Sequence, residues 1–260
     1  MVIKLSVDNN DLSDIHEEAF RNLSNLEYLD LHQNMLLVVP KASLKLPKLK
    51  KLHLSDNRIR EISASSIPNQ IETLMLRHNK ISKIKAFTFV AKRNLTLVDL
   101  RNNNVSNLQK NSLLLNSIYS TMPLPNFYIS DNPYLCDYDM QWLQLQNRIN
   151  VTGQYPNIVD LDAVTCKQRF PNKTSHIARI NATSSNFLYQ YTTHCFALCN
   201  CCEFDDCGCE MICPENCSCY HDESWSKNIV DCSAKGIASI PRILPYGVSE
   251  LYLDGNLITI

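Results

Sequence analysis

The chain has 260 residues, with 25 lysines and arginines against 26 aspartates and glutamates and a formal charge of −1. That balance excludes a nucleic-acid binder working through a broad basic field. With 45% hydrophobic and 20% charged residues, the chain holds enough apolar material for a core, which excludes wholesale disorder.

From the first residues onward one pattern recurs, Leu-x-x-Leu-x-Leu-x-x-Asn-x-Leu. An incomplete copy (Val2, Leu5, Val7, Asn10, Leu12) is followed by Leu26, Leu29, Leu31, Asn34, Leu36 and by Leu49, Leu52, Leu54, Asn57, Ile59. Two more are Ile71, Leu74, Leu76, Asn79, Ile81 and Leu95, Val98, Leu100, Asn103, Val105; a last one, Leu124, Phe127, Ile129, Asn132, runs into Cys136. Alternation of period two predicts a short strand with its leucines turned inward. The asparagine falls where each strand ends, and its amide can satisfy backbone groups of a non-helical turn. Ile15 and Phe20, or Ile84 and Phe87, are expected to fill the returning side. One such coil cannot bury its own leucines, whereas a stack can. Residues 1–131 are therefore read as an α/β repeat, a leucine-rich-repeat solenoid with parallel strands and an irregular convex side. Heptads offer no place for a recurrent Asn-x-apolar step, which excludes a coiled coil.

Outward strand positions of this array carry mixed polar and apolar side chains. Tyr28, Asp30, His53, Met75, Arg77, Asp99 and Arg101 are the candidate partner-binding residues, because repeat proteins present such a face to partners. His32, His53 and His78 lie among outward polar positions. No Gly-x-Ser-x-Gly, His-Glu-x-x-His or phosphate-cradling loop accompanies them, so no enzyme, catalytic residue, metal site or cofactor is expected.

The second half has a different composition. All 12 cysteines lie from Cys136 onward, ten of them between Cys195 and Cys232. Seven Asn-x-Ser/Thr sequons, at Asn22, Asn94, Asn104, Asn150, Asn172, Asn181 and Asn216, are candidate glycosylation sites. Together they place the chain in an oxidising, extracellular compartment, and the start at Met1, which lacks the form of a secretory signal, reads as a truncation. Cys195, Cys199, Cys201, Cys202, Cys207 and Cys209, with His194, show some ligand-like spacings. Structural zinc usually uses two separated Cys-x-x-Cys pairs, so disulfides are favoured, with their pairing open.

Around these cysteines the sequence resembles extracellular leucine-rich-repeat proteins. Asn132-Pro-Tyr-Leu-Cys136-Asp-Tyr138-Asp-Met-Gln-Trp142-Leu143, followed by Cys166, is similar to their C-terminal cap (residues 132–194), with Trp142 and Leu143 closing the core. After a connector at 195–212, Cys213-Pro-Glu-Asn-Cys217-Ser-Cys219 with Cys232 looks like an N-terminal cap over 213–247. A second array would start at 248–260 with Val248, Leu251, Leu253, Asn256 and Ile258. The likeness implies the bridges Cys136 to Cys166, Cys213 to Cys219 and Cys217 to Cys232. It also implies that a lost bridge has become the pair Tyr138 and Tyr189, whose rings would pack together; the alternative is that Cys195 has taken over as the fourth cap cysteine. Serial arrays joined by so crowded a cysteine run resemble the ectodomains of invertebrate multiple-cysteine-cluster Toll receptors of the Tollo and 18-wheeler kind. Such kinship implies a single-pass surface receptor that binds a Spätzle-like cystine-knot protein or a cell-surface partner and signals on dimerisation. A secreted or adhesive Slit-like docking protein is the alternative.

Overall fold

The computed structural model describes residues 2–117, 123–146, 154–170, 174–177, 187–195 and 210–259. Contacts divide the chain into two compact units, Met1–Ala182 and Thr183–Ile260. The first contains strands β1 (Lys4–Ser6), β2 (Tyr28–Asp30), β3 (Lys51–His53), β4 (Glu61–Ile62), β5 (Thr73–Met75), β6 (Lys83–Ile84), β7 (Leu97–Asp99), β8 (Asn126–Tyr128) and β9 (Tyr134–Leu135). Helix α1 (Tyr138–Gln146), β10 (Asn157–Ile158), β11 (Thr165–Lys167) and β12 (Thr174–His176) complete it. The second contains β13 (Tyr189–Tyr191), β14 (Thr193–Cys195), β15 (Glu210–Ile212), β16 (Ser218–His221), β17 (Asn228–Asp231) and β18 (Glu250–Tyr252).

Seven strands form one sheet in the order β1-β2-β3-β5-β7-β8-β10, all parallel. Their central residues Leu29, Leu52, Leu74, Val98 and Phe127 stand in register and are fully buried. This is the leucine-rich-repeat solenoid. Short β4 and β6 pair on the returning segments. There the expected filler Phe87 is 53% exposed, at φ 61°, and Phe89 takes the core position, edge-on to Phe127 at 5.0 Å. The left-handed backbone at Phe87 turns its side chain out and brings the second phenylalanine in.

The recurrent asparagines form a ladder. Asn57 Nδ2 donates to the Leu31 carbonyl of the preceding coil (2.9 Å) and to Leu54 O of its own, while its Oδ1 accepts from Leu36 N (2.9 Å). Asn34, Asn79, Asn103 and Asn132 repeat this arrangement one coil at a time. Immediately before the asparagine the backbone is left-handed, at Asn9, Gln33, Asp56, His78, Asn102 and Asp131, with φ from 52° to 57°. Beyond the last rung, the Asp160 carboxylate accepts from Ile129 N and Ser130 N, and β10 extends the sheet.

A lysine completes the convex side. Lys92 is fully buried and its Nζ donates to Ala64 O, Ile67 O and Asn69 Oδ1 at 2.7–2.8 Å. Burial pulls its ammonium down to about 8, which leaves it charged at neutral pH.

Helix α1 closes the array. Met140 and Leu143 are buried, and Trp142 Nε1 donates to Leu108 O at 2.8 Å. Cys136 is bridged to Cys166. Burial, then the neighbouring Asp139, pushes the Asp137 carboxyl up to about 6, against Arg169 and the Asn107 amide, which donates to both aspartates.

In the second unit, among the described residues, Cys213 is bridged to Cys219 and Cys217 to Cys232. β16 and β17 form an antiparallel hairpin, and β18 joins β17 in parallel as the strand of a new repeat. Its Asn256 resumes the ladder, donating to Cys232 O and Leu253 O at 2.8 Å, with Gly255 in the left-handed position before it. β13 falls within the expected C-terminal cap by sequence, yet it pairs antiparallel with β16 in this unit. Tyr189 stacks on His221 at 4.9 Å; Tyr138, the partner the likeness implied, opens α1 in the first unit and is about half exposed.

Candidate functional site

Parallel pairing in register turns single residues of successive repeats into rows. On the outward face one row runs Tyr28, Lys51, Thr73, Leu97, Asn126 and the other Asp30, His53, Met75, Asp99, Tyr128. Each repeat adds a further outward side chain two residues on, such as His32, Arg77 or Arg101.

At the first-coil end, Asp30 is a buried hub. Its Oδ1 accepts from His32 Nδ1 at 2.7 Å and lies 3.2 Å from His53 Nδ1, while its Oδ2 accepts from Tyr28 Oη at 2.8 Å. Burial works to raise its carboxyl, but the bonds from His32 and Tyr28 outweigh that and hold it below the ordinary range. Burial, the bond to Asp30 and its charge push the Tyr28 phenol up to about 12. Toward the other end, Asp99 is 1% exposed and held in a fork by Arg101, Nε at 3.0 Å and Nη2 at 2.6 Å. The guanidinium rests 4.8 Å above the Tyr128 ring, an attraction that adds to the fork. Asp30 and Asp99 are thus outward in register but covered by their neighbours. Isolated carboxylates at these depths would be costly, so adjacent side chains fold over them.

Between these two clusters lies β5. Met75 and Arg77 are half-buried there, and the buried Arg77 Nε has no hydrogen-bond partner among the described residues. Sequence reasoning had no means to separate this open stretch from the closed clusters on either side. Tyr128 was missed as a member of the face, although its register with Asp99 one repeat earlier would have found it.

Among the sequons, Asn22, Asn94, Asn104 and Asn216 are exposed. The three in the first unit lie off the strand rows. Asn150, Asn172 and Asn181 lie outside the described residues, as do Cys199, Cys201, Cys202, Cys207 and Cys209; Cys195 ends β14, its side chain undescribed. Among the described residues no helix is long and apolar enough to cross a membrane.

The leucine rich repeat family model matches residues 2–59. Over 236 residues, 90% of this chain, the sequence is 42% identical to Toll-like receptor 7 of Drosophila melanogaster, of which it spans 16%. Lumican of Homo sapiens is 38% identical over 98 residues, 36% of this chain and 28% of lumican. Among solved structures, a chain of the glycosylated Toll–Spätzle complex of Drosophila matches with a TM-score of 0.55 and 20% identity, over 97% of this chain and 39% of that one. A chain of the octameric complex of latrophilin 3, Unc5D and FLRT2 matches with the same TM-score and identity, over 68% of this chain and 52% of that one. Both structural likenesses speak for the fold alone. The chain spans less than a third of the length of these curated relatives.

Proposed function

Because the chain belongs to the leucine-rich-repeat family and is related to the Toll-type receptors, we propose that it is a ligand-binding segment of a Toll-type receptor ectodomain. In this reading it works on the extracellular side of the plasma membrane and takes a protein partner on its parallel-sheet face. The partner class is a Spätzle-like cystine-knot protein or a cell-surface protein, and receptor dimerisation follows engagement. The observation that carries it is the open stretch at β5. Apolar Met75 sits beside an Arg77 Nε that has no partner among the described residues, and buried unpaired donors gain when a partner supplies the acceptor. Flanking clusters around Asp30 and Asp99 are self-satisfied and give the stretch defined borders. Bridged cysteines and exposed sequons fit an oxidising compartment. The reading is of binding: the two buried carboxylates of the face are engaged by neighbours, Asp30 by His32, His53 and Tyr28 and Asp99 by Arg101.

A docking protein without a signalling half is the second reading. Repeats alone support it: the likeness to lumican covers 36% of the chain, whereas that to the Toll-like receptor covers 90%. Surface plasmon resonance of the complete ectodomain against cystine-knot cytokines and cell-surface ectodomains tests the proposal. Met75→Glu with Arg77→Glu should weaken an observed interaction at least about tenfold, the effect of a central contact. Unchanged affinity would move the interface to a flank of the solenoid.

A further inference from the structure

We propose that Asp30, His32 and His53 form a binding site for a borderline divalent transition cation of the Zn²⁺ class. The site borders the β5 contact, His53 standing in register with Met75, and its assignment does not depend on whether the face binds protein. One donor atom from each residue lies within 4.8 Å of both others. In a tetrahedral zinc site with ligand bonds of 2.0–2.1 Å, donors stand about 3.4 Å apart, so modest side-chain rotation closes the set. Two nitrogens and one carboxylate oxygen suit Zn²⁺, Ni²⁺ or Cu²⁺, whereas Ca²⁺ and Mg²⁺ call for oxygen ligands.

The surroundings hold the three donors together. The His32 and His53 rings are stacked, centroids 4.7 Å apart and planes 14° from parallel, with both Nδ1 atoms converging on Asp30 Oδ1. Each neutral imidazole can bind through Nδ1 once its proton sits on Nε2, and the carboxylate then bridges to the cation through Oδ1. Asp30 Oδ2 remains with Tyr28 Oη at 2.8 Å, and the His32 backbone N–H donates to Oδ1 at 3.2 Å. Such outer bonds orient a ligating carboxylate. Asp8 Oδ2 lies 4.0 Å from His32 Nε2, a negative charge on the other side of that ring. Side-chain exposures of 27% for His32, 26% for His53 and 10% for Asp30 leave an entrance from solvent while keeping the carboxylate fixed. Three protein donors leave the fourth position of the ion to water.

Isothermal titration of the 260-residue chain with ZnCl₂ in chelator-free buffer tests the assignment. Saturable binding of one ion is expected. His32→Gln and His53→Gln should each weaken it at least about tenfold, and Tyr28→Phe, which frees Asp30 Oδ2, by about tenfold, the typical loss for an outer-shell partner. His78→Gln, whose ring pairs with Asp56, should leave it unchanged. Nitrogen NMR of the unaltered chain gives a reading independent of variant folding, with the Nδ1 resonances of His32 and His53 shifting on Zn²⁺ addition. The proposal is overturned by the lack of saturable binding, by full affinity in the folded His32→Gln/His53→Gln double variant, or by Nδ1 resonances that do not move.

Discussion

In the array up to Leu135, coil is held to coil by asparagine amides and by a shared leucine core; from Thr183 onward, sulfur does much of that work. The array has Leu29, Leu52, Leu74, Val98 and Phe127 in one unbroken apolar row, whereas the second unit's buried cluster is Tyr191, Met211, Cys219, Val230 and Cys232. Two of those five are bridged cysteines. Repetition lets each coil lend its neighbour a buried surface. A hairpin cap has one neighbour at most, its core is small, and covalent links offset what burial cannot supply.

Reduction should separate the two regions most widely. Each native bridge in a small domain is worth about 2–5 kcal/mol, so dithiothreitol, or Cys217→Ser with Cys232→Ser, should collapse protection of β16 and β17 in hydrogen exchange and spare β2 to β7. Thiol titration of the denatured, unreduced chain should find almost no free sulfhydryl. Equal loss of protection in both regions would show that the array leans on the bridges.

Removing a rung attacks the other strategy. Asn57→Ala leaves Leu36 N without its side-chain acceptor and takes one of two amide donors from Leu31 O, which keeps Asn34, and from Leu54 O, which keeps Asn79, and a buried group left unpaired costs about 1–3 kcal/mol before relaxation. A total of about 2–4 kcal/mol is expected, read as a lower urea midpoint at unchanged slope.

At the seam between the array and its cap, Asp137 should act in the opposite direction. Its carboxyl ionises near 6 in the folded chain and near 4 in the unfolded one. The folded state therefore binds more protons between those values, and stability falls as pH climbs through that window. Asp137→Asn should gain about 1–2 kcal/mol at pH 7 and nothing at pH 4, as melting curves at the two pH values would show. An equal gain at both would assign the effect to packing.

The smallest effect concerns the new repeat. Gly255 holds the left-handed position at φ 70° that non-glycine residues hold in the first array. A Cβ there would meet Ala234 Cβ at 3.6 Å, an ordinary contact, so Gly255→Ala should cost about 1 kcal/mol from backbone strain alone. Gly255→Asn should cost less, since asparagine tolerates that conformation. Chemical denaturation followed at Trp225 would resolve the order.

The repeat was legible because a single spacing fixes strand, turn and inward face together; Asn34 to Asn132 fell where their pattern put them. Cap bridges were legible only through likeness, since sequence spacing alone does not choose among pairings. β13 was not legible. Residues 189–191 carry no alternation long enough to show that they pair with β16, a partner about thirty residues away. Burial of Asp30 and Asp99 was equally hidden, because outward direction follows from period two while coverage depends on neighbours one coil away. His32 and His53 illustrate the same limit: only the register of β2 with β3 brings them over one carboxylate.

The asparagine ladder has a polarity. Every rung reaches toward the amino terminus, Asn57 to Leu31 and Leu36, Asn79 to Leu54 and Ile59, Asn103 to Leu76 and Ile81. A coil emerging in synthesis therefore meets an acceptor and a donor already displayed by its predecessor, while its own N–H groups, such as Leu31 N and Leu36 N, wait for the coil that follows. Growth by addition at one end suits a chain made at about 5–20 residues per second, at which one repeat of 22 to 24 residues takes on the order of seconds. Each new turn can settle before the next is complete, so the rungs work as a ratchet for vectorial assembly.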